Sequence, residues 1–235
     1  MNKLLCNNRH PGPNSQTGFS LVELLVVVSL ILVVMGAIYG IWLGLGRTYK
    51  FTTDDMDAQA QGRAAMAEMV EFIRTARTPD EVAVASYDLA IRDAGPFSIT
   101  LWTDVNRDAT HSLELIRFRV SPDPMTNPGV ATFVLYRDQG DATTCSLANP
   151  TSIRLVGSNV ANKNEGVLWL PTGKQLFTYL DSTGAPLTID PSTHTVLDPT
   201  KIRAVVISLR IDVDPTRSPV VNVLSSVVQP RNLRQ

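Results

Sequence analysis

Gly18-Phe19-Ser20-Leu21-Val22-Glu23-Leu24-Leu25 opens an apolar run that continues to Gly46 and holds one formal charge, Glu23. A short leader with Lys3 and Arg9 and no acids precedes it. Between Glu23 and Arg47 stand 23 residues without a formal charge, long enough to cross a bilayer as a helix. The run is too long for the core of an ordinary signal peptide, and no A-x-A-like cleavage site follows it. A carboxylate inside such a segment costs a few kcal/mol even on lenient insertion scales, about 2.5–3.5 at the helix centre. A plain anchor gains nothing from Glu23. A subunit that assembles with others would use it, because the carboxylate needs a cationic partner in lipid.

The helix is expected to continue past the membrane. Thr52 to Arg77 contains no proline, a single glycine (Gly62), and many helix-favouring Ala, Met, Gln and Glu residues. Met66, Met69, Val70 and Ile73 recur at three- and four-residue spacing and define one apolar stripe. Pro79 should end the helix, since proline neither fits a helix interior nor tolerates helix in the residue before it. Residues 19–77 would reach about 88 Å at about 1.5 Å per residue, only part of which fits in lipid. The remainder should lie along a globular region that buries the stripe. Gly36, Gly40 and Gly44 share one helix face. Small residues at this spacing permit close helix packing in membranes or soften the helix locally. Glycine is also simply frequent in membrane helices.

Beyond Pro79 the period changes from helical to alternating. Phe97–Trp102, Leu113–Val120, Ala131–Tyr136, Val167–Leu170 and Gln175–Leu180 read as strands. Ile202–Val213 gives the clearest alternation, with Val205, Ile207, Leu209, Ile211 and Val213 on one face and Ser208, Arg210 and Asp212 on the other. Turn signals separate these runs at Asn106-Arg107-Asp108, Gln139-Gly140-Asp141 and Asp181-Ser182-Thr183-Gly184. Asp190 to Thr200 reads as a loop. The expected class is α+β: a long N-terminal helix, transmembrane then amphipathic, packed on a mostly antiparallel sheet. The expected division is a leader over 1–18, a transmembrane half-helix over 19–46, an amphipathic half-helix over 47–78, and a β-rich head over 79–235.

The chain has 235 residues and a formal charge of −1, with no basic run, so its surface does not suggest nucleic-acid binding. Its two cysteines are Cys6 and Cys145. Loss of the leader would remove Cys6, leaving Cys145 without an intramolecular partner. Stability must then come from the core.

The octet at Gly18–Leu25 resembles the processing motif of bacterial type IV prepilins and pseudopilins. The resemblance implies cleavage between Gly18 and Phe19 by a prepilin peptidase, and methylation of the new Phe19 amine. It further implies that Glu23 pairs with the N-terminal amine of a neighbouring subunit. A long helix half in lipid and half packed on a head is the architecture of that family. Phe177-Thr178-Tyr179-Leu180-Asp181 with Gly184, Lys201 to Leu209, and Pro230-Arg231-Asn232-Leu233-Arg234 resemble, in order, the larger minor pilins of the PilW type and the J-type minor pseudopilins of type II secretion. Many relatives pin their C-terminal loop with a disulfide, and this chain departs from that pattern. The implied function is a structural subunit of a type IV pilus or type II pseudopilus, in the priming complex of minor subunits. Its implied partners are the peptidase, other pilins or pseudopilins, the inner-membrane assembly platform, and membrane lipid before assembly. The implied location is the inner (cytoplasmic) membrane, crossed once, with the head outside the cytoplasm. The competing reading is a single-pass, membrane-anchored extracytoplasmic binding module.

Other chemistry is thin. Asp104-Val105-Asn106-Arg107-Asp108 places oxygen ligands at alternate positions, as calcium loops do, and Thr110 and Glu114 could add to them. Ala109 stands where the sharp turn needs glycine, and Leu115 where an acid would close the site, so a polar hairpin turn accounts for the same residues. Calcium at Asp104, Asn106 and Asp108 stays open; no other cofactor is expected. Asp181-Ser182-Thr183-Gly184 differs by one inserted residue from an aspartic-protease D-[ST]-G, and no second copy exists. His111 and His194 lie near no nucleophile motif, and no metalloprotease, hydrolase or nucleotide-binding motif occurs. Trp42 and Trp102 suit a membrane edge and a sheet, Trp169 a core. An enzyme is not expected.

Overall fold

The computed structural model describes residues 18–79, 89–105, 113–122, 133–140, 147–148, 150–162, 175–212 and 221–231. Its first element, α1, runs from Leu21 to Thr75. The chain divides into two compact units at Phe51–Thr52. In the first unit every described residue is exposed. These residues form a helix long and apolar enough to cross a membrane.

In the second unit α1 buries Ala58, Gly62, Ala65, Met69 and Ile73, at helical spacing of four and three. Met66 and Val70 flank this line, partly buried. Small residues fill its first half, so the helix axis can approach the sheet closely there. A Cβ on Gly62 would sit 2.5 Å from Leu224 Cδ1 and 2.9 Å from Ile211 Cδ1. At Gly157 the nearest helix atom would be Ala65 Cβ, 3.6 Å away. The last turn is tied down by Thr75 Oγ1, which donates to the carbonyls of Glu71 and Phe72. Arg77 then donates its N–H to Trp102 O at 3.0 Å, so the chain has left the helix before Pro79.

Among the described residues eight strands follow: β1 (Ile91–Ala94), β2 (Ser98–Thr103), β3 (Glu114–Pro122), β4 (Phe133–Gln139), β5 (Ser152–Val160), β6 (Phe177–Leu180), β7 (Ala204–Ile211) and β8 (Asn222–Val228). They form one sheet in the order β1-β2-β3-β4-β5-β7-β6, with β8 paired to β7, and every pairing is antiparallel. The fold is therefore α+β, a long helix packed on an antiparallel sheet. Val205, Ile207, Leu209 and Ile211 of β7 are all buried, as their alternation requires, while Val213 lies outside the described residues. Together with Ile99, Leu101, Ile116, Phe118 and Leu135 they form the surface that meets the α1 stripe. The Val167–Leu170 segment and Trp169 also lie outside the described residues.

Three strands escaped the sequence reading. β1 has only four residues and exposes Arg92 and Asp93. β5 starts polar and carries Gly157 in its interior. β8 keeps its alternation in burial rather than in residue type, because Val223 and Val227 are exposed while Leu224 turns inward.

Polar groups close the gaps in the apolar core. β7 pairs with β6 through Ala204–Ile207 and with β5 only at Ile211. The junction is bridged by Asn162, fully buried, whose Nδ2 donates to Ser208 O (2.7 Å) and Gln175 O (3.2 Å) while Oδ1 accepts from Arg210 N (2.6 Å). Glu68 of α1 pairs with Arg137 of β4 at 2.7 Å, and that guanidinium lies 5.1 Å from the centroid of Phe72. The Phe72 and Phe118 rings meet at 6.0 Å.

Residues 181–201 form an irregular loop, pinned by bridges Leu180–Pro186 and Ile189–Val196 and by the 3₁₀ turn Pro199–Lys201. Three Asp-x-Ser/Thr triplets shape it. Asp181 Oδ1 accepts from Thr183 N, Thr183 Oγ1 and Ala185 N. Asp190 Oδ1 accepts from Ser192 N and Oγ, and Asp198 Oδ1 from Thr200 N and Oγ1. Such local bonds replace a backbone turn. Gly184 takes a left-handed φ of 83° and His194 one of 57°.

Two outcomes follow from this packing. Gly62→Ala should be nearly neutral: better helix propensity gains up to about 1 kcal/mol, but the terminal methyls of Leu224 and Ile211 must move. Gly62→Leu should overpack the same site and cost about 1–3 kcal/mol in urea denaturation. The second outcome concerns acid. Hydrogen bonds from Thr183, Ser192 and Thr200 hold the carboxyls of Asp181, Asp190 and Asp198 below the usual range. The turns are therefore fully formed above the unfolded carboxylate value, about 3.9. Their contribution is lost as pH falls through the lower folded values. Protection of the amides in 181–201, corrected for intrinsic exchange, should fall on acidification below pH ~4, and Asp181→Ala should remove the protection of its own turn already at neutral pH.

Candidate functional site

The site predicted at Gly18–Glu23 lies where the helix begins. Gly18, Phe19 and Ser20 are exposed and non-helical, and a Cβ on Gly18 would meet nothing within 4 Å. The helix begins at Leu21 because Ser20 caps it. Ser20 Oγ accepts from Val22 N at 3.3 Å, Ser20 O accepts from Leu24 N at 3.1 Å, and Glu23 Oε2 accepts from Ser20 N at 3.1 Å. This is a capping box, in which a hydroxyl at the cap and a carboxylate three residues on satisfy orphan N–H groups. Glu23 also faces the positive end of the helix dipole. The Ser20-x-x-Glu23 spacing announces the box in the sequence.

Gly36, Gly40 and Gly44 share a helix face and are exposed, and a Cβ on any of them would meet nothing within 4 Å. Nothing within the chain requires glycine there. Tyr39 and Trp42, also exposed, meet ring to ring at 6.3 Å.

The other sequence candidates do not gather into a site. Asp104 follows β2, but Asn106, Asp108, Thr110 and His111 lie outside the described residues, as does Cys145. Glu114, a possible further calcium ligand, is buried on β3, and its Oε2 accepts from Val105 N at 2.9 Å. Among the described residues no group of three or more His, Cys, Asp or Glu could hold a metal ion. Asp181-Ser182-Thr183-Gly184 forms the tight turn described above, with the carboxylate committed to its own backbone. Trp102 is fully buried on the sheet face away from α1, with Leu115, Leu113 and Leu147.

The sequence did not announce a cavity of about 610 Å³ at the end of β6, walled by Phe97, Tyr179, Leu187, Ile189 and three prolines, with His194 at its margin. Tyr179 presents its ring there, since its hydroxyl donates to Gly95 O at 2.8 Å. Burial, and secondarily the Asp93 charge, raises that hydroxyl well above its ordinary pKa.

A membrane-length helix with a capped start thus follows an exposed glycine–phenylalanine junction. Residues 13–39 match the family described as the prokaryotic N-terminal methylation motif. That match supports a type IV prepilin-like chain, and the proteins that carry the motif are structural subunits processed by prepilin peptidase. No curated protein and no solved structure matches the chain.

Removal of the Ser20 hydroxyl should fray the helix start. Ser20→Ala is expected to cost about 1 kcal/mol at that end, read as faster amide exchange of Leu21–Leu24 in micelles. Glu23→Gln keeps an acceptor oxygen and should leave most of this protection in place.

Proposed function

We propose that the chain is a minor pilin or pseudopilin. It is made as a precursor anchored once in the inner membrane, cut between Gly18 and Phe19, and methylated at the Phe19 amine. It is then drawn into a type IV pilus or type II secretion pseudopilus with other subunits by the inner-membrane platform. Removal of residues 1–18 frees the helix as the filament-core element, and the head remains outside the cytoplasm. The observation that carries this reading is the methylation-motif match over residues 13–39. It coincides with an exposed, non-helical Gly18–Phe19 junction immediately before the capped helix.

The roles then divide by chemistry. A peptidase needs access to the bond it cuts, and the junction is exposed and non-helical. Glu23 lies one helical turn from Phe19, so its carboxylate can neutralise the amine of a neighbouring Phe19 in lipid, where an unpaired charge is costly. The capping box lowers the cost of carrying that carboxylate before assembly. Gly36, Gly40 and Gly44 offer close approach to neighbouring helices. The size of the head and the order of its C-terminal segments support a minor subunit in the priming complex.

Mass spectrometry of the protein from its native host should find a chain beginning at N-methylated Phe19. An intact Met1 in cells with active prepilin peptidase would overturn the proposal. Glu23→Gln, which keeps the cap but loses the charge, should sharply reduce incorporation into filaments. Undiminished incorporation would remove the charge-pairing role.

A further inference from the structure

The sheet face turned away from α1 carries two cross-strand rows. Arg119, Tyr136 and Leu155 are paired across β3, β4 and β5 in one, and Arg117, Asp138 and Ile153 in the other. Directly paired residues share a face. Asp138 is fully buried, and its carboxylate holds both arginines. Oδ2 accepts from Arg117 Nε (2.9 Å) and Nη2 (2.6 Å) and from Arg119 Nε (2.7 Å), and Oδ1 from Arg119 Nη2 (3.3 Å). Each guanidinium thus meets Asp138 with its Nε–Nη2 edge. Both Nη1 groups bond to no described residue. Arg119 also lies over the Tyr136 ring, 5.0 Å from its centroid. The two arginine side chains stay 32% and 29% exposed. Beside them on β5, Ile153 and Leu155 are 57% and 54% exposed. One carboxylate offsets one of two guanidinium charges, so the trio keeps a single surplus positive charge. The next carboxylate along the row, Asp93 on β1, is exposed and stands beyond Thr100 of β2, two strand spacings or about 10 Å from Arg117.

We infer that this face binds an extended segment of a different protein, in which one carboxylate stands two to three residues from an aliphatic side chain. Charge sets the anion. A single surplus charge is balanced by one carboxylate, whereas a phosphate group brings about −1.5 to −2. Asp138 has already ordered both long side chains. A carboxylate that reaches their Nη1 groups gains charge-assisted bonds without the entropy cost of fixing them. Spacing follows from strand geometry. The arginines rise from β3 and lean onto β4, while the bare aliphatics stand on β5, one to two strand spacings or about 5–10 Å away. An extended chain covers that distance in two to three residues at about 3.3 Å each. Small ligands favour concave sites, and this is an open sheet face, so its ligand must bring its own contact area, as a polypeptide does. Preset arginines, a tyrosine and bare aliphatic side chains are the composition of such a contact centre. The site lies wholly within the head and does not rest on the filament reading.

The test uses the full chain in phosphatidylcholine nanodiscs, with its Ile and Leu methyl groups labelled for NMR. The peptide acetyl-Ser-Glu-Ser-Leu-Ser-amide should shift the Ile153 and Leu155 methyl signals saturably and leave those of the buried Ile73 and Leu209 in place. Replacing its Glu by Gln, or its Leu by Ser, should each weaken binding at least about ten-fold. Arg119→Gln removes the surplus charge while Asp138 keeps Arg117, and should weaken binding by a similar factor. The two peptide changes leave the protein untouched, so they decide the matter even where that variant fails to fold. No saturable shift by about 10 mM peptide, or equal binding of the Gln peptide, would overturn the inference. So would tighter binding of inorganic phosphate or of a phosphoserine-for-Glu peptide, which would make this a phosphate site. Hexanoate binding as tightly as the peptide would make it a small-carboxylate site. The same methyl shifts without peptide, growing as more copies share a disc, would give the face to a second copy. The peptide titration and the Phe19 spectrum are independent, so either reading can fail while the other stands.

Discussion

The head depends on how closely α1 approaches the sheet at Gly62 and Ala65. At Gly62 the helix backbone lies almost against the terminal methyls of Leu224 and Ile211, and at Ala65 it meets the backbone of β5 at Gly157. Small residues at the contact set a short interaxial distance there. The larger Met69 and Ile73 then fill the wider space further along the helix, packing with the aromatic and aliphatic residues of β2 and β3. The tight end and the wide end together fix the tilt of this helix segment on its sheet. The position of every strand that contributes to the core follows from that tilt.

Polar interactions refine this arrangement rather than create it. Asn162 satisfies backbone groups where β5 and β6 meet β7 at a gap in the ladder, a place where unpaired groups would each cost about 1–3 kcal/mol. Glu68 and Arg137 cross from helix to sheet and set the helix against β4. Asp138 is more specialised. A buried ion pair is weak evidence for stability, because desolvation consumes most of the attraction. Its value here is positional: it holds two long cationic side chains in one place on the sheet face away from α1.

The main architecture was legible because it rests on periodicity. The apolar run after Gly18 and the alternation of Val205, Ile207, Leu209 and Ile211 each impose one geometry. The first half of the helix stripe was hidden because Ala58, Gly62 and Ala65 carry little hydrophobic signal, and only the facing sheet shows why they must be small. β1 and β5 lacked a periodic apolar signal, and β8 exposes valines on one side while burying leucine on the other. The Asp138 trio could not be read from the chain at all, since register alone brings Arg117 and Arg119 to the same carboxylate. At the N-terminus the processing residues were visible as a motif. The cap made by Ser20 and Glu23 was equally visible, and its meaning lies in the local geometry of a helix start.

The contact between Gly62 and Leu224 joins the beginning of the head to its final strand. If the chain crosses the membrane from its anchor outward, the stripe on α1 emerges first and β8 last. The Met69–Ile73 end of the stripe can be covered as β2 to β5 arrive, but the Gly62 end stays uncovered until β7 and β8 do. Pairings between such distant segments form slowly. Until then the emerging head is a sticky intermediate held at a membrane surface, exposed to proteases and to neighbouring chains. A chain without β8 would keep that intermediate as its end state, with the Gly62 end of the stripe bare.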